Sequence, residues 1–332
     1  GDDFDSIWET ILTMMSYGYN SPHALAMAYD SLYGAYLKSH YPLEYYSVAL
    51  DMYAGDEERT TRMTKELEYF NINILPPKFK YSKGNYFIDK ESNSIYKGVG
   101  SIKFLNPQIG DDLYNLSKDK TYNSFLELLI DLENVSINSK QLDILIKLGY
   151  FSEFGGSQKL LRITHLYNTI YTKKQFKKNT MDKSTQELFR KYAAKETEKM
   201  FKDVKIDELL NEVIPKIPNE DISVKVFLET QKEYLGYIDY KNPNYQKGVA
   251  IVTDIKVTTY GTVFVTLSQV CDGKNRTLKV DKRYFGNKPL EKYQMIKINN
   301  IKQRYKKTKI DGRWVDSNVT EYILDNYSLI IE

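Results

Sequence analysis

The chain has 332 residues, 47 Lys and Arg against 44 Asp and Glu, and a net charge of +3. That length predicts two or three compact units, and 42% apolar residues suffice to give each a core. A single cysteine, Cys271, excludes a disulfide framework or a cysteine-based zinc site, and no apolar run nears the roughly 18 residues of a membrane span. The start, Gly1-Asp2-Asp3-Phe4-Asp5, is acidic and unlike a signal peptide, so a cytoplasmic location is expected. It lacks an initiator Met, as expected of a piece of something longer. Charge is uneven along the chain. Residues 1–95 carry 8 cations and 14 carboxylates, residues 96–232 carry 22 and 19, and residues 233–332 carry 17 and 11. A basic final third points to a polyanionic partner.

A helix is expected over 20–39. Asn20 or Ser21 serves as cap, Pro22 suits the first turn, and Ala24, Leu25, Ala28, Leu32, Ala35 and Tyr36 form one apolar face. Pro42 ends it, and further helices follow over about 43–53 and 56–70. The run Asn73-Ile74-Leu75-Pro76-Pro77 cannot be helical, and 81–95 reads as a hairpin. From 98 to 161 short helices alternate with tight breaks. Asn106-Pro107 starts one, Ser124-Phe125-Leu126-Glu127 is a capping box, and Asn138 starts another that stops at Gly149. Residues 162–232 read as a polar helical connector, with a loop at 173–179. After Lys247 the apolar period becomes two. About five short strands then predict a small barrel.

The usual enzymatic signatures are absent. His23, His40 and His165 are scattered, there is no GxxxxGK[ST] loop, Gly155-Gly156-Ser157 lacks a glycine after the serine, and no carboxylate pair has two-metal spacing.

Other motifs carry a resemblance. Tyr17-Gly18-Tyr19-Asn20-Ser21-Pro22-His23-Ala24 leads into Ala35-Tyr36-Leu37-Lys38-Ser39-His40-Tyr41-Pro42. This resembles the fingers segment of the C-family DNA polymerases, the alpha subunit of bacterial DNA polymerase III and its relatives. In the same order, Leu75-Pro76-Pro77, then Ile95-Tyr96-Lys97-Gly98-Val99-Gly100-Ser101-Ile102-Lys103, then Ile137-Asn138-Ser139-Lys140 with Leu145-Ile146-Lys147-Leu148-Gly149, resemble that family's passage into two helix-hairpin-helix units. Glu233-Tyr234-Leu235-Gly236-Tyr237 and the strands beyond resemble its OB-fold domain. Heavy use of Lys, Asn, Ile and Tyr resembles proteins of low-GC bacteria or their phages.

The resemblance implies a multi-domain α+β chain. Its parts are a fingers portion at 1–95, a tandem helix-hairpin-helix region at 96–161, a helical connector at 162–232 and an OB-fold domain at 233–332. It implies a DNA-binding C-terminal portion that holds primer-template DNA, with the palm and PHP parts elsewhere. No cofactor is expected on this chain, since magnesium would bind in the absent palm. Asn20, His23, Tyr36 and Lys38 are the candidates for nucleotide or template contact, with His23 and Lys38 equally placed to serve their own helix ends. The hairpin candidates are Lys103, Asn106, Asn138, Lys140, Lys147, Gly149, Gln158 and Lys159. Two departures stand out. Phe104-Leu105-Asn106 occupies the place of the family's first Gly-x-Gly turn, and Gln158 stands where an Arg is frequent. In the barrel, strand alternation puts Lys302, Arg304 and Lys306 on one face, with Tyr305 or Phe264 available for base stacking. Gln186, Leu188 and Phe189 loosely resemble a sliding-clamp docking peptide, with a plain amphipathic helix as the favoured reading. The alternative to a polymerase part is a stand-alone OB-fold protein that binds single strands or acts as an adaptor.

Overall fold

A computed structural model describes residues 2–16, 21–310 and 313–330. It divides into two units. The first runs to Leu75 and includes Tyr86–Tyr96; the second comprises Pro76–Asn85 and everything from Lys97 onward. Among the described residues no helix is long and apolar enough to cross a membrane.

The first unit holds helices α1 (Asp2–Ser16), α2 (Ser21–His40), α3 (Pro42–Met52) and α4 (Glu57–Leu67) and strands β1 (Asn73–Leu75), β2 (Phe87–Asp89) and β3 (Ser94–Tyr96). Pro42 opens α3 with its ring already at helical φ, and Asp56 caps α4 by accepting from the Arg59 N–H at 3.0 Å. The expected hairpin is β2–β3; it gains a third strand, since β1 pairs in parallel with β3. Leu43, Tyr46, Leu50, Leu67, Ile72, Tyr86 and Ile95 are the core. The expected apolar face of α2 exists but is uncovered: Leu25, Leu32 and Tyr36 are exposed.

The second unit begins with α5 (Pro107–Asp119), α6 (Phe125–Asp131), α7 (Ser139–Lys147) and α8 (Ser157–Ile170). Asn106 caps α5 and Asn138 caps α7 in a reciprocal box with Gln141. At α6 the anticipated box is displaced: Ser124 accepts from the Glu127 N–H, while the Glu127 carboxylate accepts from Asn123, one residue early. Gly149, at φ +77, turns the chain out of α7. A Cβ on Gly110 would sit 2.8 Å from the Gly84 backbone, so α5 packs against that loop only through glycine.

The stretch read as a helical connector is more than that. It contains β4 (Gln175–Lys177), α9 (Lys183–Tyr192), β5 (Ala193–Glu196), β6 (Met200–Val204), α10 (Ile206–Val213) and α11 (Val224–Leu235). The strands form an antiparallel sheet in the order β4-β6-β5. The tract expected to be a loop therefore carries a strand, because Phe176 turns inward between exposed neighbours against Phe189 and Phe201. One core joins this sheet to the short helices, from Phe79 and Tyr150 through Leu160 to Phe201 and Leu210.

Strands β7 (Val249–Val257), β8 (Val263–Gln269), β9 (Asn275–Val280), β10 (Met295–Ile310) and β11 (Arg313–Leu329), with α12 (Lys282–Asn287) between β9 and β10, close into a barrel. The order around it is β7-β8-β9-β11-β10, and only β9 and β11 run parallel. Alternate residues such as Val252, Val265, Leu278, Ile296, Leu324 and Tyr327 fill the interior. Strands β10 and β11 are longer than expected. Beyond Lys302 and Ile323 they leave the barrel as a two-stranded ribbon.

Lys97 is only 3% exposed. Its ammonium lies 4.0 Å from the Tyr237 ring centroid and 3.8 Å from an Asp239 oxygen, joining the hairpin region to the segment that enters the barrel. Burial pulls its pKa down to about 8 from 10.5, and Asp239 only partly opposes this. The unfolded chain therefore binds a proton that the folded chain has lost between about pH 8 and 10.5. The penalty, on the order of 3 kcal/mol, is complete below pH 8 and disappears as pH rises through that window. Lys97→Met should be more stable than the parent at neutral pH, with the gap closing toward pH 10.5. Urea unfolding of both proteins at several pH values measures it, and a gap independent of pH would refute the assignment.

Candidate nucleic-acid interface

At the first hairpin the turn where a glycine was expected is made by a phenylalanine. Phe104 itself adopts φ +71, a region that bulky residues rarely enter. Three contacts hold it there. The Gln141 amide donates to the Phe104 carbonyl at 2.9 Å, the Lys103 N–H donates to the Tyr234 carbonyl at 2.9 Å, and the Tyr234 ring meets the Phe104 ring edge-on at 6.1 Å. The ring is 50% exposed. Lys140 lies 4.0 Å from its centroid and Lys103 5.2 Å. Two expected residues from different hairpin units are thus brought together around a third that the sequence marked only as a departure from a glycine turn and not as a site residue. Among the described residues neither lysine has a carboxylate partner within salt-bridge range.

The backbone donors expected to face an anion are mostly engaged. Asn106 accepts from the Ile109 N–H at 3.1 Å and Pro107 has no N–H to offer. Asn138 accepts from the Gln141 N–H at 3.0 Å. At α8 the segment Asn219-Glu220-Asp221 folds back. The Gly156 N–H donates to Asn219 Oδ1, the Ser157 N–H to Asp221 Oδ1 and the Lys159 N–H to the Glu220 carbonyl. Lys147 is paired with Asp143 on its own helix at 2.8 Å. Gln158 lines a groove with Leu161, Arg162, His165 and Ile217, and Arg162 is paired with Glu220 at 3.1 Å. The expected picture of helix ends and lysines offered to a phosphate strand is therefore corrected at α8, where protein acceptors hold the donors.

Lys302, Arg304 and Lys306 lie on β10 where it leaves the barrel, and the pairing with β11 slips between Tyr305 and Lys307, so the simple alternation expected to put all three on one face is interrupted before Lys306. Two of them are already paired: Lys302 with Asp325 and Arg304 with Glu321, each at 2.6 Å. These partners, opposite or diagonal on β11, hold both carboxyl groups below the usual range. At Asp325 the largest cause is the Lys302 hydrogen bond; at Glu321 burial pulls the other way and Arg304 and Lys279 outweigh it. Lys306 and Lys307 are exposed and have no ion pair among the described residues. Tyr305 is 59% exposed. Phe264 is half-buried on β8, with Lys256 directly opposite on β7 and Lys279 on β9. That aromatic-and-cation row is a product of strand register, so neither lysine was legible as part of a site.

Asn20 lies outside the described residues. His23 is exposed on α2, and Tyr36 stacks on His40 at 4.1 Å. Lys38 is tied down: its ammonium meets Glu66 at 2.7 Å, and the Tyr46 hydroxyl donates to the same carboxylate at 2.8 Å. Burial, then Glu66, push the Tyr46 hydroxyl up to about 12, while the Glu66 hydrogen bond raises Lys38. This network fastens α2 to α3 and α4. On α9 Phe189 is a core residue, Gln186 is tied to the preceding turn, and Leu188 is half-buried. Phe189 is 5% exposed and meets Phe176 edge-on at 4.8 Å, and the Gln186 amide donates to the carbonyls of Lys178 and Met181. Among the described residues no three His, Cys, Asp or Glu side chains converge as a metal site would require.

Residues 71–161 match the family model for a helix-hairpin-helix motif. The chain is also similar to proteins named DNA polymerase III subunit alpha. That of Ureaplasma parvum serovar 3 is 29% identical over 151 residues, 46% of this chain and 16% of the relative. That of Bacillus subtilis strain 168 is 28% identical over 160 residues, 48% and 14%. That of Aquifex aeolicus strain VF5 is 30% identical over 146 residues, 44% and 12%. About half of this chain is therefore related to a region of DNA polymerase III alpha, and the match spans less than a fifth of each of these relatives.

Because Phe189 is a core residue, Phe189→Ala should lower the unfolding free energy by about 3–5 kcal/mol. A near-zero loss in urea unfolding would instead mean that the segment stands clear of the core, as a docking peptide must.

Proposed function

We propose that this chain is a DNA-holding portion of a replicative DNA polymerase of the DNA polymerase III alpha type. The observation that carries this reading is the helix-hairpin-helix match at 71–161, set within a chain whose similarity is to those alpha subunits. Such motifs meet the backbone of DNA rather than its base edges, which suits an enzyme that must move over any sequence. The barrel supports the same reading. Five strands in the order β7-β8-β9-β11-β10 with one parallel pair fit an OB-fold, whose second and third strands and long loops take single strands. Here those strands are β8 and β9, which carry Phe264 and Lys279. The loop between the fourth and fifth strands is the basic ribbon.

In this reading the duplex lies along the hairpin region, and the single-stranded template follows Lys256, Phe264 and Lys279 toward Tyr305 and Lys306. The helical portion bearing His23, Tyr36 and Lys38 serves the incoming nucleotide. Catalysis needs the palm. Magnesium ions would be held by palm carboxylates. The upstream polymerase parts are partners, and the work is done in the cytoplasm, where replication takes place.

Fluorescence anisotropy across a salt series, with a primer-template junction, a matched duplex and a matched single strand, tests the proposal. Junction preference with a steep salt slope is the expected result, since each neutralised phosphate releases counterions. Tight single-strand binding with no junction preference would favour an independent OB-fold binder. Replacing Lys302, Arg304 and Lys306 by Ala should flatten the single-strand slope by less than about two units, because two of the three are already paired. Glu321→Gln with Asp325→Asn should free those two cations and tighten single-strand binding severalfold at low salt. If neither change alters the slope or the affinity, the ribbon lies off the DNA path.

A further inference from the structure

We infer that the first hairpin takes an unpaired nucleotide, its base or sugar lying on Phe104 and its phosphate held by Lys103 and Lys140, and is not a grip on duplex phosphates. This rests on the nucleic-acid reading above and deepens it.

Three observations lead there. The first is conformational. A glycine would adopt φ +71 without cost, whereas a phenylalanine is held there under strain that the surroundings must sustain. Gln141, Tyr234 and the Lys103 amide supply that restraint. A strained residue so firmly held, with half of its ring left in solvent, is not explained by packing. The second is electrostatic. Lys140 and Lys103 approach the ring from different chain segments without carboxylate partners among the described residues, which leaves their charge available to a phosphate. The third is what the backbone no longer offers. Phosphate grip at hairpins works through free N–H groups at a glycine turn and the following helix start. Here the Phe104 side chain stands at the turn, Asn106 holds the Ile109 N–H, and Pro107 has none.

An aromatic ring flanked by ammonium groups suits a base with its phosphate in a single strand, because every base has a stacking face. A paired base in a duplex has that face covered by its neighbours. The hairpin thus meets DNA where the strands part.

Anisotropy of the full chain with labelled oligothymidine and with a blunt duplex, for the parent and for Phe104→Gly, Phe104→Tyr and Lys140→Gln, tests this. Phe104→Gly restores the residue that the turn prefers, so it folds, and a thermal unfolding midpoint at or above that of the parent verifies this. Its oligothymidine affinity should fall by about five-fold or more while the blunt-duplex affinity stays within about two-fold. Phe104→Tyr should bind as the parent does, and Lys140→Gln should weaken oligothymidine binding and lower its salt slope. Unchanged oligothymidine binding by Phe104→Gly, or an equal loss on both probes, would overturn the inference while leaving the polymerase reading in place. Failure of the parent to bind either probe would overturn both.

Discussion

Helices α6 and α7 span seven and nine residues, lengths at which an isolated helix is scarcely populated in water. They exist because their apolar residues share one core with α8, the β4-β6-β5 sheet and α10. Burial of Leu128, Leu145 and Ile146 between elements distant in sequence is the constraint on which the second unit depends. It explains why the polar stretch after α8 folds as a sheet with helices α9, α10 and α11 and not as a loose connector. Without that layer, one side of the short helices would face water.

The same constraint governs the helix ends. The start of α8 is completed by Asn219 and Asp221, more than sixty residues downstream, and the Ser157 hydroxyl accepts from the Ile222 N–H in return. The chain thereby delivers α11 and the barrel's leading segment to a fixed place on the hairpin region, where Tyr234 meets Phe104 and Tyr237 lies on Lys97. Hydrogen-bond satisfaction and domain placement are one act here. The lysine beneath Tyr237 is held in a poorly solvated place by the aromatic face and one distant carboxylate.

Local signals read well from sequence. Pro42, Asn106, Ser124 and Asn138 mark helix starts because capping involves only three or four consecutive residues. The five barrel strands were legible as short apolar or alternating runs rich in β-branched residues with polar turns between them, as in β8 and the apolar start of β7. What escaped was non-local. Strand β1 has three residues and gains its identity only from parallel pairing with β3. The partners of Lys302 and Arg304 sit seventeen or more positions away on β11. Phe104 was marked in the sequence only as a departure from a glycine turn: its role appears when its φ, the Gln141 hydrogen bond and the two lysines are seen together. The candidate site was thus half readable, as residue types in the right region but without their pairing.

The ribbon has a property unrelated to DNA. Past the barrel, β10 and β11 bond to each other and to no further strand among the described residues, so each presents an open edge of amide and carbonyl groups. Open edges invite a second copy to add a strand, and flat apolar ones seed aggregates. Residues 302–321 include six cations and three carboxylates, and the pairing slips between Tyr305 and Lys307. Lysines along the strand and an irregular register make poor templates for edge-to-edge growth. The ribbon's charge therefore works against such growth, and ionic strength high enough to screen it should bring copies of this chain together.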